Sequence, residues 1–288
     1  MKTNAIIRIV LYSIVILLIL SILGGFIAFD RYSFHQEESS WAAPIVTAGS
    51  GEHHEEHHAT PDTEPVTHIE IQWVAGSVTI QRGNTDRIQF SESGKFDTDE
   101  AMVYRQDGKK LIIEYQERDV YFGIYSTPEK DLTITVPQDW EGISISLDTA
   151  SAKLRMQDIT VREVELDSAS GGAVFEDCTI EELDIDTASG DVEFTGTLET
   201  LECDAASARI HAVFHDIPRS LDVDTMSGNV DITLPQSCGF TAEIETLSGD
   251  FHSDFECSQR DDCYISGDGS CHINLSAMSG DVHIRKGE

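Results

Sequence analysis

Seven segments of this chain align on one serine, and that recurrence restricts the fold more than any other feature. They are Asp148-Thr-Ala-Ser151, Asp167-Ser-Ala-Ser170, Asp186-Thr-Ala-Ser189, Asp204-Ala-Ala-Ser207, Asp224-Thr-Met-Ser227, Glu245-Thr-Leu-Ser248 and Ser276-Ala-Met-Ser279. Successive serines lie 19, 19, 18, 20, 21 and 31 residues apart, so the last interval holds an insertion. A fixed period of this kind marks an array in which each unit buries its apolar face only against its neighbours.

Registering the repeats on the serine exposes four apolar columns, at positions four and six before it and three and five after it. The column four before reads Leu147, Leu166, Ile185, Cys203, Val223, Ile244 and Leu275, and the column three after reads Leu154, Ala173, Val192, Ile210, Val230, Phe251 and Val282. Alternation at a period of two is the signature of strands with one buried face. Each repeat therefore supplies two short strands with a bend at Ser-Gly, and stacking in register predicts an all-β protein, a parallel β-solenoid (β-helix) of seven to eight coils. The segment from Ile69 to Ile80 fits the same columns with Ala75 in place of the serine. The stretch 85–140 breaks the period and contains alternating runs and an Asp107-Gly108 hairpin turn, which predicts an antiparallel cap. The repeat coils then occupy 143–286, with a terminal edge after the last coil blunted only by charge.

Ahead of the repeats, Ile9 to Phe29 runs 21 residues without a charge, long enough for a membrane-spanning helix. Lys2 and Arg8 precede it, so residues 1–8 are expected in the cytoplasm and everything beyond residue 30 outside it, a single-pass signal anchor. Residues 30–66 are rich in Ser, Gly, Glu, His and Pro and read as a flexible linker. Within it, His53, His54, His57 and His58 would, in a helix, pair at i and i+4, a spacing that holds zinc.

Nineteen basic against 52 acidic residues give a net charge of −33. That balance repels nucleic acid and anionic lipid, and leaves cations, an envelope protein or a neutral glycan as partners. Part of the charge is ordered. An acid stands three residues before each serine: Asp148, Asp167, Asp186, Asp204, Asp224 and Glu245. Alternation turns this ladder outward, as a solubilising face or as a site where calcium bridges coils. Asp191, Asp250 and Asp281 follow the Ser-Gly glycines and would assist.

The serines themselves (Ser151, Ser170, Ser189, Ser207, Ser227, Ser248 and Ser279) recur in every coil. A catalytic serine needs one positioned base, so recurrence assigns them a structural role, as inward hydroxyls bonding along the stack. A polysaccharide-active β-helix enzyme would mark one coil with a distinct carboxylate pair and basic residues. Between Ile143 and His252 there are five basic residues against 23 acidic ones in a uniform column, which argues against any enzyme. Of six cysteines, Cys203 falls in an apolar column, Cys178 and Cys238 at coil corners, and Cys257, Cys263 and Cys271 in the final insertion, where a disulfide between two of these three is expected.

The Ser-Gly-Asp coils, the segment Ile71-Gln-Trp73-Val-Ala-Gly-Ser-Val-Thr-Ile80 and Leu132-Thr-Ile-Thr-Val-Pro137 resemble the bacterial adhesin-like β-strand-repeat family, over residues 67 to 286. The resemblance implies a membrane-anchored envelope protein with a β-helical ectodomain at 67–288, sometimes tied to envelope stress, and no established chemistry. The expected function is a non-enzymatic surface or scaffold with no cofactor, contacting partners through its exposed faces and the 253–272 insertion; the alternative is a divalent-cation-dependent binding module.

Overall fold

A computed structural model of the chain describes residues 53–58, 65–96, 100–116, 129–260 and 263–287, the first of these through its backbone. The expected membrane span at 9–29 lies outside them; among the described residues no helix is long and apolar enough to cross a membrane.

The described residues are strands joined by turns. Seven strands precede the seven-fold repeat: β1 (His53–His58), β2 (His68–Trp73), β3 (Gly76–Gly83), β4 (Gln89–Gly94), β5 (Val103–Asp107), β6 (Lys110–Glu114) and β7 (Lys130–Pro137). The repeat itself provides β8 (Gly142–Thr149), β9 (Lys153–Gln157), β10 (Thr160–Ser168), β11 (Ala173–Ser189), β12 (Val192–Ser207), β13 (Ile210–Phe214), β14 (Ser220–Ser227) and β15 (Val230–Leu234). Beyond these lie β16 (Phe240–Ser248), β17 (Phe251–Ser253), β18 (Ser258–Arg260), β19 (Cys263–Ser266), β20 (Cys271–Ser279) and β21 (Val282–Lys286).

Equivalent residues of successive repeats pair in parallel and in register. Leu166 lies between Leu147 and Ile185, and Val192 between Ala173 and Ile210. One face carries the strands before each serine (β2, β8, β10, β14, β16 and β20) and the other those after it (β3, β9, β13, β15, β17 and β21). The long strands β11 and β12 bend from one face to the other. The apolar columns of both faces meet in one core, with Ile145, Ile185, Val223 and Ile284 fully buried. Burying four such side chains per coil, at about 1.5–3 kcal/mol each, contributes part of the free energy that opposes the entropy cost of ordering the coil.

The order of the coils departs from the order of the chain at both ends. β2/β3 is not outermost: it lies between β8/β9 on one side and β6/β7 on the other. At the opposite end β20/β21 lies between β14/β15 and β16/β17. The described coils therefore number nine rather than seven to eight, and at each end the coil outermost in sequence is second in space.

This corrects two expectations. The 85–140 stretch is no separate antiparallel cap, because β6 and β7 form a parallel coil of their own. Among its described residues, β5, antiparallel to β6, and β4, antiparallel to β7, act as cover. Nor does the edge follow the last repeat. The exposed coil is β16/β17, where the β18–β19 hairpin of the insertion shields part of β16 in antiparallel pairing.

Residues 53–58, expected in a flexible linker, form β1, an antiparallel edge strand on β4 with His53 opposite Gly94 and His58 opposite Gln89. Positions four apart in a strand lie about 13 Å from each other, so the helical histidine spacing for zinc is not adopted.

Candidate functional site: an acidic face

The Ser-Gly bend places Asp148, Asp167, Asp186, Asp204 and Asp224 on consecutive parallel strands, each directly opposite the next. Two residues earlier on the same face stands a second ladder, Glu165, Asp184, Glu202 and Asp222, also in register. The second ladder was readable from the same alternation, since it shares the phase of the first. Strands about 4.8 Å apart thus carry two adjacent rows of carboxylates.

The interleaved end decides where this face stops. Opposite Asp224 lies Ser276, and opposite Asp222 lies Asn274, which donates from Nδ2 to Asp222 Oδ1 at 2.9 Å. Glu245 comes one coil further out, beyond Ser276. It is therefore separated from the five-aspartate ladder that the sequence spacing had it continue.

Crowded carboxylates hold their protons. Asp204 is pushed up to about 7, first by partial desolvation between coils and then by the charges of Asp224 and Asp186. Asp184 is pushed to about 6 by desolvation and by Asp186 and Glu202. Asp148 rises to about 6 through desolvation, the charge of Asp167 and a hydrogen bond shared with it. Asp167, Asp186, Asp222 and Glu165 are raised for the same leading reason.

The sign of the resulting pH dependence is fixed. An unfolded aspartate releases its proton near 3.9, whereas these remain protonated to pH 6–7 in the folded state. The folded state thus binds more protons between about pH 4 and 7, and stability falls as pH rises through that window. The melting temperature is expected to be about 5 °C or more higher at pH 5 than at pH 8, and Asp204→Asn is expected to shrink the difference. A flat profile from pH 5 to 8 in thermal unfolding would refute the crowding.

The serines sit elsewhere than expected. All seven are exposed at the bend rather than inward. Ser151 and Ser170 still bond between coils, their hydroxyls donating to the carbonyls of Val74 and Ala150 at 3.3 and 3.2 Å. The inward hydroxyls are two residues earlier. Thr149 Oγ1 accepts from the Ala152 N–H, and Ser168 Oγ accepts from the Gly171 N–H at 2.7 Å, closing the bend. Thr187 and Thr225 occupy the same column on either side of Ala205, buried and with no hydrogen-bond partner for Oγ1. Gly228 adopts φ +140°, and a Cβ there would collide with the Ala208 carbonyl, which is why the residue after the serine stays small.

Of the acids after the glycines, Asp191 Oδ1 accepts from the Arg209 N–H and Asp281 Oδ1 from the Asp250 N–H, each at 3.0 Å. These carboxylates cap the neighbouring coil's backbone. Among the described residues no three His, Cys, Asp or Glu side chains converge as a metal site. Cys203 is fully buried in the apolar column, where desolvation raises its thiol. Cys271 lies beside Cys238, outside the insertion, rather than beside Cys257 or Cys263.

One charged cluster escaped the sequence reading. Lys130, fully buried, pairs through Nζ with Glu92 Oε1 at 2.9 Å, donates to the carbonyls of Glu100 and Gln116, and lies 3.8 Å from the Tyr115 ring centre. Glu92 Oε2 accepts from the Met102 N–H at 2.8 Å, and Trp73 Nε1 donates to the Lys130 carbonyl at 2.9 Å. The cluster ties β4, β7 and the 100–102 segment to the coil stack.

The fold and this face define an all-β protein of stacked, parallel, two-strand coils with a carboxylate-lined outer surface. The chain belongs to the Toastrack DUF4097 family, whose model matches residues 66–285. Among solved structures it is similar to a putative adhesin from Bacteroides fragilis, at 12% identity and a TM-score of 0.48, with 83% of this chain and 98% of that one covered. It is also similar to a putative cell adhesion protein from Clostridium sporogenes, at 12% identity and a TM-score of 0.42 over 82% and 100% of the two chains. A putative adhesin from Parabacteroides distasonis follows, at 7% identity and a TM-score of 0.41 over 81% and 97%. No curated protein matches the chain.

Proposed function

We propose that this chain is a non-enzymatic surface protein of the bacterial envelope, anchored by residues 9–29 and presenting its coil stack outside the cytoplasm as a binding or scaffolding face in adhesion or envelope stress. The observation that carries the reading is the double carboxylate ladder. It is a surface repeated coil by coil, suited to many weak contacts with a cationic partner, and its self-repulsion is relieved when positive charge covers it. An envelope protein with a basic face fits it best, and a neutral glycan would have to engage the bend side instead.

The test is protease treatment of unlysed spheroplasts, with wall and any outer membrane removed, from cells expressing the full chain with a C-terminal epitope. The epitope is expected to disappear without lysis; its survival until lysis would overturn the placement. The raised ladder carboxylates also favour a second reading, a divalent-cation-dependent module in which calcium replaces the protons. A melting temperature unchanged by millimolar calcium would eliminate it.

A further inference from the structure

Interleaving at the end of the stack brings together two cysteines from either side of the insertion. Cys238 closes the turn before β16, its N–H donating to the Pro235 carbonyl at 2.9 Å. Cys271 opens β20, opposite Phe240, and its N–H donates to the Gly239 carbonyl at 3.0 Å. The two backbones are thus joined at the residue next to Cys238. Both cysteines are buried, at 4% and 0% exposure, and they converge on one atom: Cys238 Sγ donates at 3.5 Å to the same Gly239 carbonyl that the Cys271 N–H reaches.

We infer that Cys238 and Cys271 form a disulfide that clasps the outer coil β16/β17 to the inserted coil β20/β21. The remaining cysteines are placed apart. In the β18–β19 hairpin Arg260 pairs with Cys263 and Ser258 with Ile265, which leaves Cys257 and Cys263 three positions out of register. That offset is about 10 Å along the ladder, beyond the roughly 7 Å between Cα atoms that a disulfide spans. Cys178 faces Gly196, whereas Cys203 lies between Ile185 and Val223 in another column.

The chemistry needs an oxidant of the small-molecule disulfide class, such as oxidised glutathione. Before the coils dock either thiol can lead the exchange, and the balance is the same with Cys238 as the first nucleophile. Its thiolate attacks one glutathione sulfur, the S–S bond breaks, and one glutathione leaves as thiol, taking up a proton. The Cys271 sulfur, losing its proton to solvent, then attacks the Cys238 sulfur of the mixed disulfide and expels the second glutathione. The protein loses two electrons and two protons, and the oxidant becomes two thiols. Because both sulfurs are buried once the coils dock, the exchange belongs to folding.

The test is to reduce and unfold the full-length chain, refold it in detergent with a glutathione redox buffer, alkylate free thiols and map the unreduced digest by mass spectrometry. The expected result is a Cys238–Cys271 linked peptide with the other four cysteines alkylated, and a melting temperature that falls by about 10 °C on adding reductant. Alkylation of Cys238 and Cys271, or a link from Cys271 to Cys257 or Cys263, would overturn the assignment. The Cys238→Ser, Cys271→Ser double variant should lose the reductant sensitivity, and its persistence there counts against the clasp. Should that variant fail to fold, the wild-type peptide map decides alone.

Discussion

Replacing Glu92 with glutamine is expected to cost about 3–5 kcal/mol of stability, because it removes the carboxylate paired at 2.9 Å with the fully buried Lys130 ammonium. The glutamine amide keeps the shape and can still accept from the Met102 N–H, so the loss isolates the charge. Denaturant unfolding is the measurement, with the midpoint moving and the slope holding. Glu92→Leu combined with Lys130→Met should recover only part of the loss, since it removes the charge to desolvate but also the acceptor of the Met102 N–H and the donor to the Glu100 and Gln116 carbonyls. A loss under about 1 kcal/mol in the single variant would mean that solvent reaches Lys130 and that the aromatic enclosure by Tyr115, Phe96 and Trp73 is incidental.

The second large effect is expected at Phe194. Its ring lies between those of Phe175 and Phe214, with centres 6.1 and 5.6 Å away, at the middle of the stack. Phe194→Ala should cost about 3–5 kcal/mol, the transfer term plus the cavity left between two rings that neighbouring coils hold in place. Phe194→Leu should cost less than half of that. If alanine is tolerated to within about 1 kcal/mol, the two flanking rings have closed the gap and the coils are less rigidly spaced than their register implies.

Burial on this fold is a local matter, and local patterns made it legible. Leu147, Leu166, Ile185 and Val223 could be placed inward from alternation alone, because each coil repeats the same test of which side is wet. The same alternation carries Lys130 into the phase of Leu132, Ile134 and Val136, and Glu92 into that of Phe90. The cluster escaped because charged residue types were read as surface before their phase was considered. Neighbour order was a different problem. All coils present equivalent apolar columns, so β16 and β20 are almost interchangeable as partners for β14. Nothing in Ile244 or Leu275 says which of them touches Val223. The inward placement of the serines failed for a related reason, since at the bend the alternation slips and the hydroxyl that faces the core is Thr149 or Ser168, not Ser151 or Ser170.

That interchangeability has a kinetic consequence. During synthesis, residues 240–253 leave the ribosome before 271–286, and they meet an open β14/β15 edge whose columns they match. Docking there is the local, low-entropy event, while the native arrangement closes a longer loop. The expected competitor to the native order is therefore a native-like stack one coil short, in which β16 occupies the place of β20. A slow phase confined to this end, completed when the final coil wedges in, is the expected refolding signature.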